Sequence, residues 1–76
     1  MIYLLFRQDL RKNSIELLAP HATFDGVMEH LQREQTYWEE KMWPVERHVD
    51  CSFLVMDVFE KTPKYYYLVG SRTILK

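Results

Sequence analysis

Residues 23–42 read TFDGVMEHLQREQTYWEEKM, and this stretch decides the fold because it carries the clearest helical pattern in the chain. Thr23 is suited to cap the first turn with its hydroxyl, and Asp25 favours the positive end of the helix dipole. Trp43-Pro44 ends the pattern because the residue before proline avoids helical angles. The apolar side chains recur every three or four residues, which predicts an amphipathic helix over residues 24–42: Phe24, Val27, Met28, Leu31, Trp38 and Met42.

Strands are predicted on both sides of this helix. Residues 1–7 and 14–19 precede it, and residues 52–60 and 65–69 follow it, the last of these extending past a bulge at Gly70-Ser71. Pro20 is expected to end the second strand, and a polar loop is expected to run from the helix through residue 50. The order ββαββ predicts an α+β fold, a mainly antiparallel sheet with one amphipathic helix on one face.

The length and composition predict one cytoplasmic domain over residues 1–76. The chain has 76 residues, 47% hydrophobic and 28% charged, which is typical of a globular protein too short for a second core. Cys51 is the one cysteine, so no disulfide can form within the chain, and a reducing compartment is expected. The apolar run at residues 2–6 is too short to span a membrane, so no membrane association is expected.

The candidates for catalysis or metal binding are incomplete. His48 and Cys51 lie close in sequence, and His30 and Glu34 are spaced to share a helix face, but a zinc site needs three or four converging ligands. The two glycines do not form a phosphate-binding loop. We therefore expect no catalytic residues, no metal, no cofactor and no enzymatic activity.

A patch beside the apolar stripe is the candidate partner-binding site. Tyr37 lies off the stripe near Arg33, and Trp43 caps the helix end. Aromatic and arginine side chains supply much of the energy of protein interfaces, so Arg33, Tyr37 and Trp43 are predicted to bind a partner. The alternative is structural: Tyr37 lies flat over its helical neighbours, and Trp43 seals the end of the core.

In size and in its order of strand, short strand, capped helix and closing hairpin, the chain resembles small phage-encoded or mobile-element proteins that bind and inhibit host machinery. This resemblance implies a non-enzymatic protein-interaction module, an inhibitor or adaptor of a host protein. The alternative function is a small nucleic-acid-binding domain using the basic, tyrosine-rich C-terminal hairpin, in which rings stack bases and cations hold phosphates. The candidate contacts are Lys64, Tyr65, Tyr67 and Arg72.

Both faces of the strand at residues 52–60 are mostly apolar, whereas one helix can cover only one face. One of the two alternating sets contains no charged residue and is assigned to the helix side: Leu54, Met56 and Val58. The opposite set, which Asp57 interrupts, is expected to mediate self-association as a homodimer. Its members are Phe53, Val55 and Phe59.

Overall fold

The computed structural model describes residues 1–49 and 51–73. The described residues form five strands and one helix, in the chain order β1 (Ile2–Asp9), β2 (Ser14–His21), α1 (Phe24–Glu40), β3 (Val45–Val49), β4 (Ser52–Met56) and β5 (Pro63–Arg72). The sheet order is β2-β1-β5-β4-β3, and every neighbouring pair is antiparallel. The predicted α+β fold, an antiparallel sheet with a single helix packed on it, is confirmed.

Helix α1 begins where the sequence places it. The hydroxyl of Thr23 accepts a hydrogen bond from the amide of Gly26 at 3.0 Å, as expected of an N-cap. The helix ends at Glu40, two residues before the predicted end, because Met42 adopts a left-handed backbone with φ of 65°. Within the described part of the chain, no helix combines the length and apolar character needed to cross a membrane.

Strand β3 was not predicted. Residues 45–49 read VERHV, and the charged and polar side chains in that stretch suggested a loop. In the structure these residues pair with β4, where Val45 lies opposite Val55 and Arg47 lies opposite Phe53. Pairing along an existing strand outweighs a weak local pattern, because strand preference depends on cross-strand packing.

Three predicted strand features are also corrected. Strand β2 continues through Pro20, which costs no ladder hydrogen bond on its outer side because β2 is an edge strand. Strand β5 passes Gly70 without a bulge, since its register with β1 is continuous from Ile2–Arg72 to Asp9–Tyr65. Strand β4 ends at Met56, four residues early, because a turn follows it.

The assignment of the two faces of β4 is wrong. Phe53 and Val55 are fully buried in the core beneath the helix, so they cannot form a self-association surface. Leu54 and Met56, expected under the helix, are half-buried and alternate to the opposite face. The core consists of Leu5, Val27, Leu31, Trp38, Phe53, Val55 and Tyr67.

A buried hydrogen bond links the helix to this side of the sheet. Tyr67 lies opposite Phe53 in the sheet, and their rings stack with centroids 4.5 Å apart. The indole Nε1 of Trp38 donates a hydrogen bond to the hydroxyl of Tyr67 at 2.9 Å. This contact ties the helix to the face of β5 that carries Tyr67, and the register then places Phe53 on the same side.

Candidate functional site

The C-terminal end of α1 is closed by a Schellman motif. The amide of Met42 donates to the carbonyl of Glu39 at 3.0 Å, and the amide of Trp43 donates to the carbonyl of Trp38 at 3.1 Å. The apolar contact that accompanies this motif is present, since the rings of Trp38 and Trp43 have centroids 5.1 Å apart. Met42 therefore occupies the left-handed position at which glycine is usual.

Aromatic rings continue outward from this motif to the surface. Tyr37 packs edge-on against Trp38 at 5.2 Å, and Phe59 packs edge-on against Trp43 at 6.5 Å. Trp43 is half-buried, whereas Phe59 is 85% exposed, Met42 83% and Tyr37 48%. We call this surface the aromatic end and define it as Tyr37, Met42, Trp43 and Phe59.

Two lysines lie over the rings at this end. The ammonium of Lys41 is 4.8 Å from the ring centroid of Tyr37, and that of Lys64 is 4.8 Å from the ring of Trp43. A cation over an aromatic face is attracted by the ring quadrupole. The aromatic end is therefore apolar with positive charge beside it.

The loop that carries Phe59 is held by the carboxylate of Asp57. One carboxylate oxygen accepts hydrogen bonds from the amides of Phe59 at 2.8 Å and Glu60 at 3.0 Å, and the other forms an ion pair with Arg11. The amide of Glu60 contributes most to lowering the pKa of Asp57, and the amide of Phe59 and the guanidinium of Arg11 lower it further. An ionised Asp57 thus fixes the turn that presents Phe59.

Two of the predicted partner-binding residues, Tyr37 and Trp43, meet through Trp38. Arg33 is exposed one helical turn before Tyr37, at the i, i+4 spacing that makes helix residues neighbours. Trp43 packs against the core, as the structural alternative held, while Tyr37 keeps nearly half of its surface exposed. Phe59, expected in a self-association face, lies at the aromatic end instead.

The predicted nucleic-acid contacts do not form a stacking platform. Tyr67 is 1% exposed, so its ring cannot stack on a base. Tyr65 is half-buried against Trp38, and cations from Arg7 and Lys64 lie over its ring. Lys64 and Arg72 stand near opposite ends of β5, roughly 27 Å apart for an extended strand. These four residues therefore do not form one binding surface.

Two histidines contact each other near the start of the helix, and the sequence analysis identified only one of them, His30. His30 and Glu34 share a helix face as expected, with 3.8 Å between the His30 Nε2 and a carboxylate oxygen of Glu34. The structure adds His21 from the end of β2, whose Nε2 lies 2.9 Å from the Nδ1 of His30. Burial lowers the pKa of His30, and the charges of His21 and Arg33 lower it further against the opposing effect of Glu34.

This histidine pair does not extend to a metal-binding set. Across residues 1–49 and 51–73, no three histidine, cysteine, aspartate or glutamate side chains are arranged to hold a metal ion. Both ring nitrogens of His30 already face neighbours, which leaves the pair as a link between β2 and α1.

A polar cleft of about 240 Å³ is lined by residues of the β1–β2 hairpin and by one residue of β5: Arg7, Asp9, Lys12, Ser14, Glu16 and Tyr65. Arg7 forms an ion pair with Glu16 across it, and the backbone amides of Arg11 and Lys12 donate to Asp9 at its end. The ion pair between Arg7 and Glu16 and the two backbone amides at Asp9 thus engage three of the charged side chains that line the cleft.

Comparison of the chain with protein-family models, curated proteins and solved structures found no match. Sequence reasoning missed Met42 as a site residue because the apolar spacing placed it inside the helix. Met42 is distinguished by its left-handed backbone, and no local pattern in residues 38–44 predicts that conformation.

Proposed function

We propose that the protein is a non-enzymatic interaction module that binds another protein through the aromatic end, acting as an inhibitor or adaptor. The observation that carries the proposal is that Met42 and Phe59 hold almost fully exposed apolar side chains on loops that are hydrogen-bonded in place. Such side chains contribute little to this fold. Covering each one is worth about 1.5–3 kcal/mol.

The backbone at Met42 supports a role outside the fold. A left-handed conformation costs a residue with a Cβ roughly 1–2 kcal/mol, and glycine at this position avoids that cost. The side chain of Met42 is 83% exposed, so its packing energy offsets little of that cost. Strained backbone is concentrated at functional sites, and methionine adapts to varied apolar surfaces.

The aromatic end is organised before a partner arrives. The Schellman motif fixes Trp43 against Trp38, and Asp57 fixes the turn that carries Phe59. Side chains on ordered backbone lose less conformational entropy on binding, so more of the burial energy appears as affinity.

The charges at this end indicate the chemistry of the partner. Lys41 and Lys64 flank the rings, so the complementary surface is an apolar depression with carboxylates at its rim. Aromatic residues at the centre of an interface supply most of its energy, whereas rim charges mainly set association rate and orientation.

The experiment is a paired capture from a lysate of the source cells with immobilised protein and quantitative mass spectrometry. The baits are the wild type, Phe59→Ser, Tyr37→Ala and, as a matched control, Ile15→Ser, which removes an exposed apolar side chain from β2. A specific partner is one that the wild type and Ile15→Ser retain and that Phe59→Ser loses. Tyr37→Ala should weaken binding to that partner by ~2 kcal/mol or more without unfolding the protein.

Two outcomes contradict the proposal. One is that the same proteins are retained by Phe59→Ser and by the wild type. The other is that the captured material is nucleic acid, with an affinity that falls steeply as salt is raised through counterion release. An interface centred on buried aromatic rings should change little between 50 and about 200 mM salt.

A further inference from the structure

The side of the sheet opposite α1 is an apolar surface that the described chain does not cover. Alternation along the strands places the neighbours of the buried core residues on this side. None of its apolar members belongs to the core, and Ile15 and Leu17 are 68% and 50% exposed. We call it the open face and define it as Ile2, Leu4, Phe6, Ile15, Leu17, Leu54, Tyr66 and Leu68.

Strand register makes these side chains contiguous. Phe6 lies opposite Leu17 on one side and opposite Leu68 on the other, and Tyr66 lies opposite Leu54. Gly70 adds no side chain, and the ring of Phe6 lies beside it, 3.5 Å from the position that a Cβ would occupy. The open face is therefore a continuous apolar surface across β2, β1, β5 and β4.

We propose that the open face binds a second copy of this chain, so that two sheets pack face to face in a two-fold symmetric dimer. Apolar sheet faces pack on one another about 10 Å apart with their strands roughly 30° from parallel, as in β-sandwiches. This places the dimer on the opposite side of the molecule from the helix. It leaves the aromatic end outside the interface.

The size of the open face is of the order that a stable dimer requires once the relief of its side chains is counted. The four strands of the open face, about 4.8 Å apart and about seven residues long, cover roughly 19 by 24 Å, or about 460 Å² before side-chain relief is counted. A standard specific interface buries about 800 Å² of accessible surface on each partner. Side-chain relief adds to this projected area, so a sheet face of this extent can supply an interface of that order.

The distribution of charge favours a second copy as the occupant. Gln8 is uncharged and lies between Ile15 and Tyr66 in the register, so the charged side chains on this side of the sheet are away from its centre. In a two-fold interface each residue meets the same surface of the partner, so a charged centre would meet its own sign. Charged residues of opposite sign, Glu46 and Arg72, stand at its margin, opposite Leu54 and Ile2.

The test is the solution mass of the full chain by light scattering and sedimentation equilibrium at 1 to about 100 μM. We expect twice the chain mass of 9.3 kDa. Leu17→Lys should raise the dimer dissociation constant by roughly 100-fold or more, because symmetry puts two lysines into each interface. Leu17 is half exposed at a sheet edge, so this change should leave the circular dichroism spectrum of the monomer unaltered.

The matched control is Phe59→Lys, which makes the same kind of change at a more exposed apolar residue of the aromatic end. It should leave the dimer intact while abolishing partner capture, so the dimer and the proposed function fail separately. A monomeric mass for the wild type at about 100 μM would overturn the inference. So would a dimer that survives both Leu17→Lys and Ile15→Lys, because its interface would then lie elsewhere.

Discussion

Replacing Met42 with glycine should leave the protein about as stable as the wild type or more stable, although it removes an apolar side chain. The residue follows the C-cap of α1 and holds φ at 65°. Relief of that conformation is worth roughly 1–2 kcal/mol, and the added freedom of glycine in the unfolded chain costs about 0.5–1 kcal/mol. With 83% of the side chain exposed, the lost packing costs at most about 0.5 kcal/mol.

Met42→Ala is the control that isolates the backbone effect, because it loses the same side chain and keeps the left-handed strain. We expect the glycine variant to exceed the alanine variant by about 0.5–1 kcal/mol in free energy of unfolding. That difference corresponds to roughly 3–6 °C in melting temperature for a chain of this length. Both variants should bind the partner less well than the wild type does.

The assay is urea unfolding followed by tryptophan fluorescence, since Trp38 and Trp43 flank the motif. The slope of free energy against urea should be the same in all three proteins, so that midpoints compare directly. If the glycine variant is no more stable than the alanine variant, the strain of the left-handed backbone does not exceed the roughly 0.5–1 kcal/mol that glycine costs in the unfolded chain, and the argument for a functional methionine fails.

Two further predictions concern the core and the histidine pair. Tyr67→Phe should lower the free energy of unfolding by about 1–3 kcal/mol in the same assay, because the indole N–H of Trp38 loses its buried acceptor; Tyr37→Phe, at the surface, should change it little, and equal effects of the two would refute the role of this hydrogen bond. The free energy of unfolding should also fall as the pH drops below 6.5, because the folded state lowers the pKa of His30 and favours its neutral ring. The contribution of the neutral ring is complete above the unfolded pKa of 6.5 and is lost as the pH falls towards the lower pKa of the folded state. His30→Gln should flatten this part of the profile in urea titrations from pH 7.5 to about 5, and an unchanged slope would contradict the assignment.

Local patterns in the sequence were sufficient for the helix start, for four of the strands and for the fold class. Thr23 was identifiable as the N-cap because its hydroxyl bonds within its own turn. Five of the six apolar side chains at helical spacing lie on α1, and three of those five are buried in the core, whereas Met42 lies beyond the end of the helix. These features depend on interactions within a few residues, so local sequence patterns are sufficient to predict them.

The orientation of β4 could not be read in this way. Both alternating sets of its side chains are apolar, so a period of two residues gives no preference between the faces. The buried set is identified by the contact of Trp38 with Tyr67, which shows the side of β5 that faces the helix, and by the register that places Phe53 on that side. Strand β3 was missed for a similar reason, because its own side chains show no strand pattern and it forms a strand by pairing with β4.

The candidate sites show the same division between local and long-range information. The sequence identified Tyr37, Trp43, Phe59 and Lys64 as residues of interest but assigned them to three different surfaces. The structure gathers them at one end, because the helix terminus and the β4–β5 turn meet there through Trp43. The sequence by itself determines the residue types and their local periodicity. The surface on which a side chain lies depends on contacts between residues far apart in sequence, which only the tertiary structure shows.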